Sequence, residues 1–495
     1  MKLEDVIDLI SVKSVSSTLD VDVLGVRYDS REVEAGDVFC ALSGLEVDGN
    51  DFVGAAVDKG AAAIISEKPN PAEFPVTWLQ VRDARKAMGI AASNLEEHPS
   101  MEMPIVGVTG TNGKTTTTYL IHFLLESILR RAGLIGTIQY SNGDGIVDAP
   151  HTTPESPDLH RLLREMRDND CRGAAMEVSS HGLSQKRVEG VAFDVGVFAN
   201  LTQDHLDYHG TMEDYFAAKR ILFEMMNADS RKESTALINV DDPYGDRLSK
   251  EHFSNLTTYT FGRSANADFR ASDLRSDFNG TSFTLSFKER KFLVRIPLIG
   301  DFNVANAVAA IASAYAIGMN LREVISRMPD APQVPGRLES VGNRQIAYRV
   351  FVDYAHTPDA LANVLSTLRS LDPSRIITVF GCGGDRDVTK RPLMARAAEE
   401  GSDLCVLTSD NPRTEDPVKI ISDTEEGFLG GGYESIIDRA EAIERAISIA
   451  EERDIVLIAG KGHEPYQEIE GVLHDFDDRK VAARLINEKA ERGWK

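Results

Sequence analysis

The stretch Ile105-Val106-Gly107-Val108-Thr109-Gly110-Thr111-Asn112-Gly113-Lys114-Thr115-Thr116 decides the fold of this chain. An apolar run enters a loop carrying Gly110 and Gly113, and Lys-Thr opens an apolar-periodic segment reaching Ile128. That order predicts a buried strand, a tight loop and a helix. Glycines let backbone N–H groups curl around phosphate oxygens, and a helix N-terminus adds partial positive charge. Lys114 adds a full charge, and the Thr115 hydroxyl is of the type that holds Mg²⁺. The spacing departs from the strict G-x-x-x-x-G-K-[ST] form, because Val108 stands at the first glycine position. The alternative is a glycine-rich turn between core elements.

Around this loop the chain has 495 residues, and about 150 residues per domain suggests three domains. Proline-marked joints fall at Pro99 to Pro104 and at Pro329 to Pro335-Gly336. They give parts 1–99, 100–334 and 335–495. The first holds short strands and helices, with a helix expected near Ala84 to Leu95. The second starts at the phosphate loop and later shows alternating strands between about 257 and 298, read as a small antiparallel sheet. In the third, apolar strands Val350–Val352, Ile376–Phe380, Leu404–Leu407 and Ile455–Ala459 alternate with helical patterns near 358–371, 390–401, 438–452 and 477–490. The fold class is therefore α/β, ending in a Rossmann-like doubly wound parallel sheet. Such sheets bind ligands beyond the carboxyl ends of their strands. The loops at 353–356, 381–387, 409–413 and 460–464 are in that position.

The formal charge is −24, from 54 Lys plus Arg against 78 Asp plus Glu. Such a surface repels nucleic acid and anionic membrane, so an acidic ligand needs locally concentrated positive charge. No run of eighteen apolar residues predicts membrane insertion. The first residues, Met1-Lys2-Leu3-Glu4-Asp5, do not read as a signal peptide. Cys40, Cys171, Cys382 and Cys405 lie far apart without a C-x-x-C, which favours a reducing cytoplasm over a disulfide framework.

Three further features carry chemistry. On the helix expected over Gly210 to Phe223, Lys219 shares a stripe with Tyr215, Phe216, Leu222 and Phe223. A lysine there either snorkels outward or is desolvated toward its neutral form. A neutral amine can add CO₂ to become a carbamate, an anionic metal ligand. Glu177 ends a short apolar strand, and Leu201 to His209 gathers His205, His209, Asp204 and Asp207. Glu177 and His205 are plausible Mg²⁺ ligands; the alternative is a solvated loop.

Taken together, Thr109 to Thr115, Met176-Glu177-Val178-Ser179-Ser180-His181, Asn200 to Asp207, Gly336-Arg337 and Asp353-Tyr354-Ala355-His356-Thr357-Pro358 resemble the Mur ligases. These are ATP-dependent amino-acid ligases of peptidoglycan precursor synthesis. The resemblance runs from about residue 25 to 480 in the family's motif order. Asp410-Asn411-Pro412-Arg413 is similar to the tetrapeptide of the branch that adds meso-2,6-diaminopimelate. Where such relatives usually read Lys-Gly after Asp-Arg-Asp, this chain reads Val388-Thr389.

The resemblance implies an N-terminal UDP-binding domain, a central ATPase domain and a C-terminal domain that brings the amino acid and swings inward. It implies ATP and Mg²⁺. It implies two partner substrates, meso-2,6-diaminopimelate and UDP-N-acetylmuramoyl-L-alanyl-D-glutamate, and a cytoplasmic monomer. Tyr28, Ser30, His151, Thr152, Thr153, Ser179, Gln185 and Arg187 match sugar-peptide positions. Gly110, Thr111, Asn112, Gly113, Lys114, Thr115, Thr116, Asn303, Asn306, Arg337, Asp353 and His356 match ATP positions. Arg386, Asp410, Asn411, Pro412, Arg413, Gly460 and Glu464 match diaminopimelate positions. Lys219 matches a carbamylated lysine, implied to hold metal with Thr115, Glu177 and His205; Lys114, Lys219, His205 and Glu177 are the implied catalytic set.

The implied reaction passes the ATP γ-phosphoryl group to the D-Glu γ-carboxylate, and the amine then attacks the acyl phosphate. A lysine-adding Mur ligase is one alternative reading. A folylpolyglutamate-synthase-like ligase is a second, disfavoured by the hundred residues before the phosphate loop. A P-loop switch ATPase is a third, disfavoured because no apolar strand ends in a clear Walker B aspartate.

Overall fold

The computed structural model describes residues 1–44, 47–71, 74–147, 149–342 and 347–491. The chain separates into two compact units. The first holds Met1–Ser272, Thr284–Val294 and Ala305–Met328; the second holds Asp273–Phe283, Arg295–Val304 and Pro329 onward.

Among the described residues the first unit contains two sheets. Among the described residues the N-terminal sheet orders its strands Val12–Val15, Thr77–Val81, Ala63–Ser66, Asp37–Ala41, Gly25–Arg27, with only the first antiparallel to its neighbour. Helix Ala84–Leu95 falls where the sequence places it. Asp83 caps it by accepting from Lys86 N at 2.9 Å. Its buried Ala84, Ala87, Met88 and Ala91 complete a core with Val26, Val38, Ile65 and Leu79.

The central sheet has a parallel run in the order Gly133–Ile135, Ala174–Glu177, Ile105–Thr109, Val195–Phe198, Ser234–Asn239, Leu256–Gly262. Every residue of Ile105–Thr109, Ala174–Glu177 and Val195–Phe198 is buried. Strands covered on both faces read as continuous apolar runs instead of alternating ones. The later strands Phe269–Asp277, Gly280–Phe287 and Arg290–Ile296 fall in the region expected to form a small antiparallel sheet. They begin at this sheet's edge, where Phe269 and Arg270 pair in parallel with Phe261 and Gly262. Two residues of pairing make the join, too local for the alternation pattern to reveal.

The N-terminal segment and the central sheet are tied within this unit. Helix Ala84–Leu95 packs on helix Ser156–Asp168. Arg164 pairs with Glu96 at 2.9 Å, and Lys186 pairs with Asp83.

Among the described residues the second unit is built on a doubly wound sheet, ordered Glu339–Val341, Arg349–Asp353, Ile455–Ala459, Ile376–Phe380, Leu404–Leu407, Tyr433–Ser435, with only the first strand antiparallel. Alternate residues of one strand face opposite cores. Phe351 packs with Leu361, Leu365 and Met394 of helices Pro358–Arg369 and Lys390–Gly401. Val350 and Val352 pack with Ala446 and Leu485 of helices Arg439–Ile449 and Asp478–Glu491. Helix Pro417–Glu425 and the hairpin Tyr466–Ile469/Val472–Asp475 were not foreseen. Among the described residues no helix is long and apolar enough to cross a membrane.

Candidate active site

Strand Ile105–Thr109 ends inside the parallel run, so its loop opens between neighbouring strand ends. Gly113 has φ +83°, and a side chain there would collide with the Asn306 side-chain oxygen. Thr117 Oγ1 donates to that oxygen at 3.2 Å, which places Asn306 on the loop's border. Lys114 begins the helix Lys114–Leu129 and folds its Nζ back onto Gly110 O and Thr111 O, each at 2.9 Å. Asn112 exchanges hydrogen bonds with Asn200, at 2.8 Å from its N–H and 3.0 Å to its carbonyl. Thr111 Oγ1 donates to Thr202 O at 3.2 Å. The loop is thus shaped by the segment after strand Val195–Phe198. Thr116 is buried behind it.

Glu177, 1% exposed, ends the adjacent strand. It accepts from Thr115 Oγ1 at 3.1 Å, from Thr137 N at 2.9 Å and from Thr137 Oγ1 at 3.1 Å. Thr153 Oγ1 donates to Glu177 O at 2.9 Å and accepts from Ser179 N at 3.0 Å. Thr152 and Thr137 share a hydroxyl contact at 3.0 Å, and the Tyr140 hydroxyl donates to His151 O. Arg187 donates to Thr153 O at 3.0 Å and to Gln185 Oε1 at 2.8 Å, and pairs with Glu155 at 2.9 Å. So Thr152, Thr153, Ser179, Gln185 and Arg187 form one network with Glu177, with His151 beside it. Tyr28 lies outside that network. Its hydroxyl donates to Asp158 Oδ2 at 2.8 Å, and burial and then this carboxylate push the phenol upward. Ser30 is half-buried beside the Asp29–Arg31 ion pair.

Lys219 lies on helix Met212–Ala228 and is 1% exposed, so it does not snorkel. Its Nζ donates to Gly110 O at 2.8 Å and sits 4.4 Å from the Tyr215 ring centroid. Burial, and then the charge of Lys114, hold its amine well below the usual lysine range, against the pull of Asp204. His205, with φ +53°, starts the short helix Leu206–His209. Its Nε2 lies 3.5 Å from Asp204 Oδ2 and its ring meets His181 edge-on at 5.0 Å. Burial lowers the His205 imidazole, with Lys114 and Lys219 adding to it and Asp204 opposing. His181 is held at about 4, chiefly by burial. His209 Nε2 pairs with Ser180 Oγ at 3.0 Å.

Among the described residues no group of three or more His, Cys, Asp or Glu side chains is arranged to hold a metal ion. The Thr115 hydroxyl and Glu177 carboxylate, 3.1 Å apart, still present the hard oxygens that suit Mg²⁺, which completes its shell with water and phosphate oxygens.

The remaining expected residues belong to the second unit. Asn303 Nδ2 donates to Ile299 O at 2.8 Å. Asp353 ends its strand buried; burial raises its carboxyl, while Arg337 and the N–H groups of Leu338 and Ala355 oppose. Arg337 stacks over Tyr354 at 4.7 Å, and His356 Nδ1 pairs with Tyr354 O at 2.8 Å.

Beyond strand Leu404–Leu407, Asp410, Asn411 and Pro412 are buried and Arg413 is half-buried. Asn411 Nδ2 donates to Glu464 Oε2 at 2.9 Å. Arg413 donates to Gly384 O at 2.7 Å and pairs through Nε with Glu468 Oε2 at 3.1 Å. Gly460, with φ +114°, turns the loop after Ile455–Ala459 against Asp410. Arg386 stays outside this network, exposed, with its guanidinium on Asp385 O at 3.2 Å.

Sequence reasoning missed Thr137, Tyr215, Lys461 and Glu468. Thr137 follows strand Gly133–Ile135 and Lys461 follows Ile455–Ala459, so the strand-end rule contained the signal for both. Tyr215 was read only as part of an apolar stripe, yet its hydroxyl contacts Thr111 Oγ1 at 3.2 Å. Glu468 lies on the unforeseen hairpin.

Three family models match in sequence. The Mur ligase family, catalytic domain, covers residues 22–95; the Mur ligase middle domain covers 108–314; the Mur ligase, glutamate ligase domain, covers 336–462. The chain is 44% identical to the UDP-N-acetylmuramoyl-L-alanyl-D-glutamate--2,6-diaminopimelate ligase of Geobacter metallireducens, covering 100% of both chains. It is 40% identical to the ligase of the same name from Clostridium tetani, covering 99% of this chain and 100% of the relative. A solved structure of a ligase of that name matches with a TM-score of 0.72 and 36% identity over 99% of each chain. The chain belongs to the Mur ligase family.

Proposed function

We propose that this chain is an ATP-dependent ligase that joins meso-2,6-diaminopimelate to the D-Glu γ-carboxylate of UDP-N-acetylmuramoyl-L-alanyl-D-glutamate, in the cytoplasm and as a monomer. The observation that carries the reading is the convergence of Lys114, Lys219, Thr115 and Glu177 around the Gly110 loop, in a chain similar over its whole length to ligases of that name. We assign 1–99 to the UDP-sugar, 100–334 to ATP and 335–495 to the amino acid.

The chemistry follows from charge. Transfer of a phosphoryl group needs positioning and charge neutralisation more than covalent help. Lys114 supplies a cation at the loop. The γ-carboxylate oxygen attacks the γ-phosphorus of ATP, ADP leaves, and an acyl phosphate results. The amine then attacks its carbonyl carbon, the C–O bond breaks, and phosphate departs. His205, Asp204 or the substrate phosphate takes the amine's proton; burial lowers the His205 imidazole, which leaves its ring nitrogen able to accept. Mg²⁺ would be held by Thr115, Glu177 and a carbamate on Lys219, and supplies positive charge to the phosphate oxygens. The carbamate reading is supported by the buried amine of Lys219, because CO₂ adds only to the neutral form.

The test is ATP turnover with the UDP-sugar dipeptide and either diaminopimelate or lysine, and with each cosubstrate omitted. Turnover that needs both cosubstrates and prefers diaminopimelate supports the reading. Turnover without them identifies a switch ATPase, and preference for lysine overturns the substrate.

A further inference from the structure

Lys461 is fully buried in the loop after strand Ile455–Ala459. Its neighbours Gly460 and Gly462 have φ of +114° and +55°, a backbone that turns the side chain inward. A buried ammonium is retained only with partners. Here Nζ donates to Asn411 Oδ1 at 2.9 Å and to Glu464 Oε2 at 3.3 Å, and lies 5.4 Å from the Tyr466 ring centroid.

Those contacts reach Asn411 and Glu464 of the proposed diaminopimelate site directly, and Arg413 through the hairpin. With Oδ1 held by Lys461, the Asn411 amide presents Nδ2 to Glu464 Oε2 at 2.9 Å. Asn411 Oδ1 also accepts from Glu468 N at 3.0 Å, which fixes the hairpin strand Tyr466–Ile469. That strand holds Arg413, whose N–H donates to Glu468 O at 3.0 Å. One ammonium thus fixes Glu464, a carboxylate suited to an ammonium, and the backbone that carries Arg413, a guanidinium suited to a carboxylate. Oε2 of Glu464 is shared by Asn411 and Lys461, which holds the carboxylate in one orientation.

We infer that Lys461 is a positioning residue for amino-acid selection: it sets the separation of Glu464 and Arg413, and so selects a substrate end bearing both an ammonium and a carboxylate. This rests on the proposed function above. Lys461 is not a catalytic residue, since it acts through Asn411 and Glu464.

The experiment uses the full chain. First, the wild type is assayed with diaminopimelate; absence of activity defeats the functional reading, independently of Lys461. Lys461→Met and Lys461→Arg are then compared for KM and kcat with diaminopimelate, lysine, ATP and UDP-sugar dipeptide. Lys461→Met should raise the KM for diaminopimelate at least tenfold and cut its preference over lysine by a similar factor. The KM values for ATP and UDP-sugar dipeptide should stay within about twofold. Lys461→Arg should recover part of the preference. If Lys461→Met folds poorly, the preference ratio of Lys461→Arg decides. An unchanged preference in either variant overturns the inference, as does an equal loss for all substrates, which marks a purely structural lysine.

Discussion

Arg413 and Glu468 are joined twice: Nε lies 3.1 Å from the Glu468 carboxylate, and the Arg413 N–H donates to Glu468 O at 3.0 Å. The backbone bond holds the guanidinium at a fixed place beside the strand end, and the side-chain bond occupies one edge of its fork. A ligand carboxylate therefore meets an arginine already partnered. Both side chains are partly exposed, and such pairs are worth about 0–1 kcal/mol. Glu468→Gln should therefore lower the KM for diaminopimelate by up to about fivefold and leave that for lysine unchanged. Steady-state kinetics with both amino acids checks this; a raised KM would make Glu468 a support for Arg413 and not its competitor.

Removing Arg413 itself should cost far more. Leaving a ligand carboxylate without its charged hydrogen-bond partner costs roughly 2–5 kcal/mol, or about thirty- to several-thousand-fold in affinity. Arg413→Ala should raise the KM for diaminopimelate by that order while barely moving the KM for ATP. Arg413→Lys should rescue only partly, because an ammonium lacks the planar fork. Equal weakening of diaminopimelate and lysine would make Arg413 a structural residue.

Lys114 folds onto the carbonyls of Gly110 and Thr111, so its charge sits in the loop before any phosphate arrives. Lys114→Ala should reduce kcat at least a hundredfold, about 2.7 kcal/mol of barrier. Binding of UDP-sugar dipeptide, measured by calorimetry, should change less than threefold. A parallel loss of that binding contradicts the assigned roles of 1–99 and 100–334.

Lys219 gives a paired prediction. Lys219→Ala should lose most activity, and a small carboxylic acid in the assay should restore part of it. Stability should move the other way. The folded amine titrates well below the unfolded value of 10.5, so the unfolded chain binds more protons between the two values and stability rises with pH there. In CO₂-free buffer, Lys219→Met should melt higher than wild type at pH 7. The gap should narrow as pH approaches 10.5, and a gap independent of pH would show that the lysine is not held neutral.

His160 is fully buried, with Nε2 at 2.9 Å from Glu189 O, and burial holds its imidazole at about 4 against an ordinary 6.5. The unfolded chain takes up a proton first as pH falls, so this histidine removes stability from pH 6.5 down to about 4. The shift corresponds to about 3 kcal/mol over that window. His160→Gln should flatten acid unfolding between those values, read by circular dichroism against pH; an identical acid profile would remove His160 from the account.

The phosphate loop was legible because one short stretch carries its whole meaning: strand, glycines, Lys114 and Thr115 are contiguous. The doubly wound second unit was legible because buried parallel strands must be apolar throughout, and helices must alternate with them. Motif order then supplied the further proposed site residues, among them those at 151–187, 353–356 and 410–464.

Tertiary structure alone decided the state of side chains that meet across sequence. Periodicity put Lys219 on an apolar stripe, but only packing against Tyr215 and the Gly110 carbonyl shows it buried instead of snorkelling. Glu177 gains Thr137 from a loop forty residues earlier in the chain, and Lys461 gains Asn411 from fifty residues away. A chain's local pattern reports which face of an element turns inward. It does not report which polar atoms arrive at the same buried point, and at such a point desolvation makes each partner decisive.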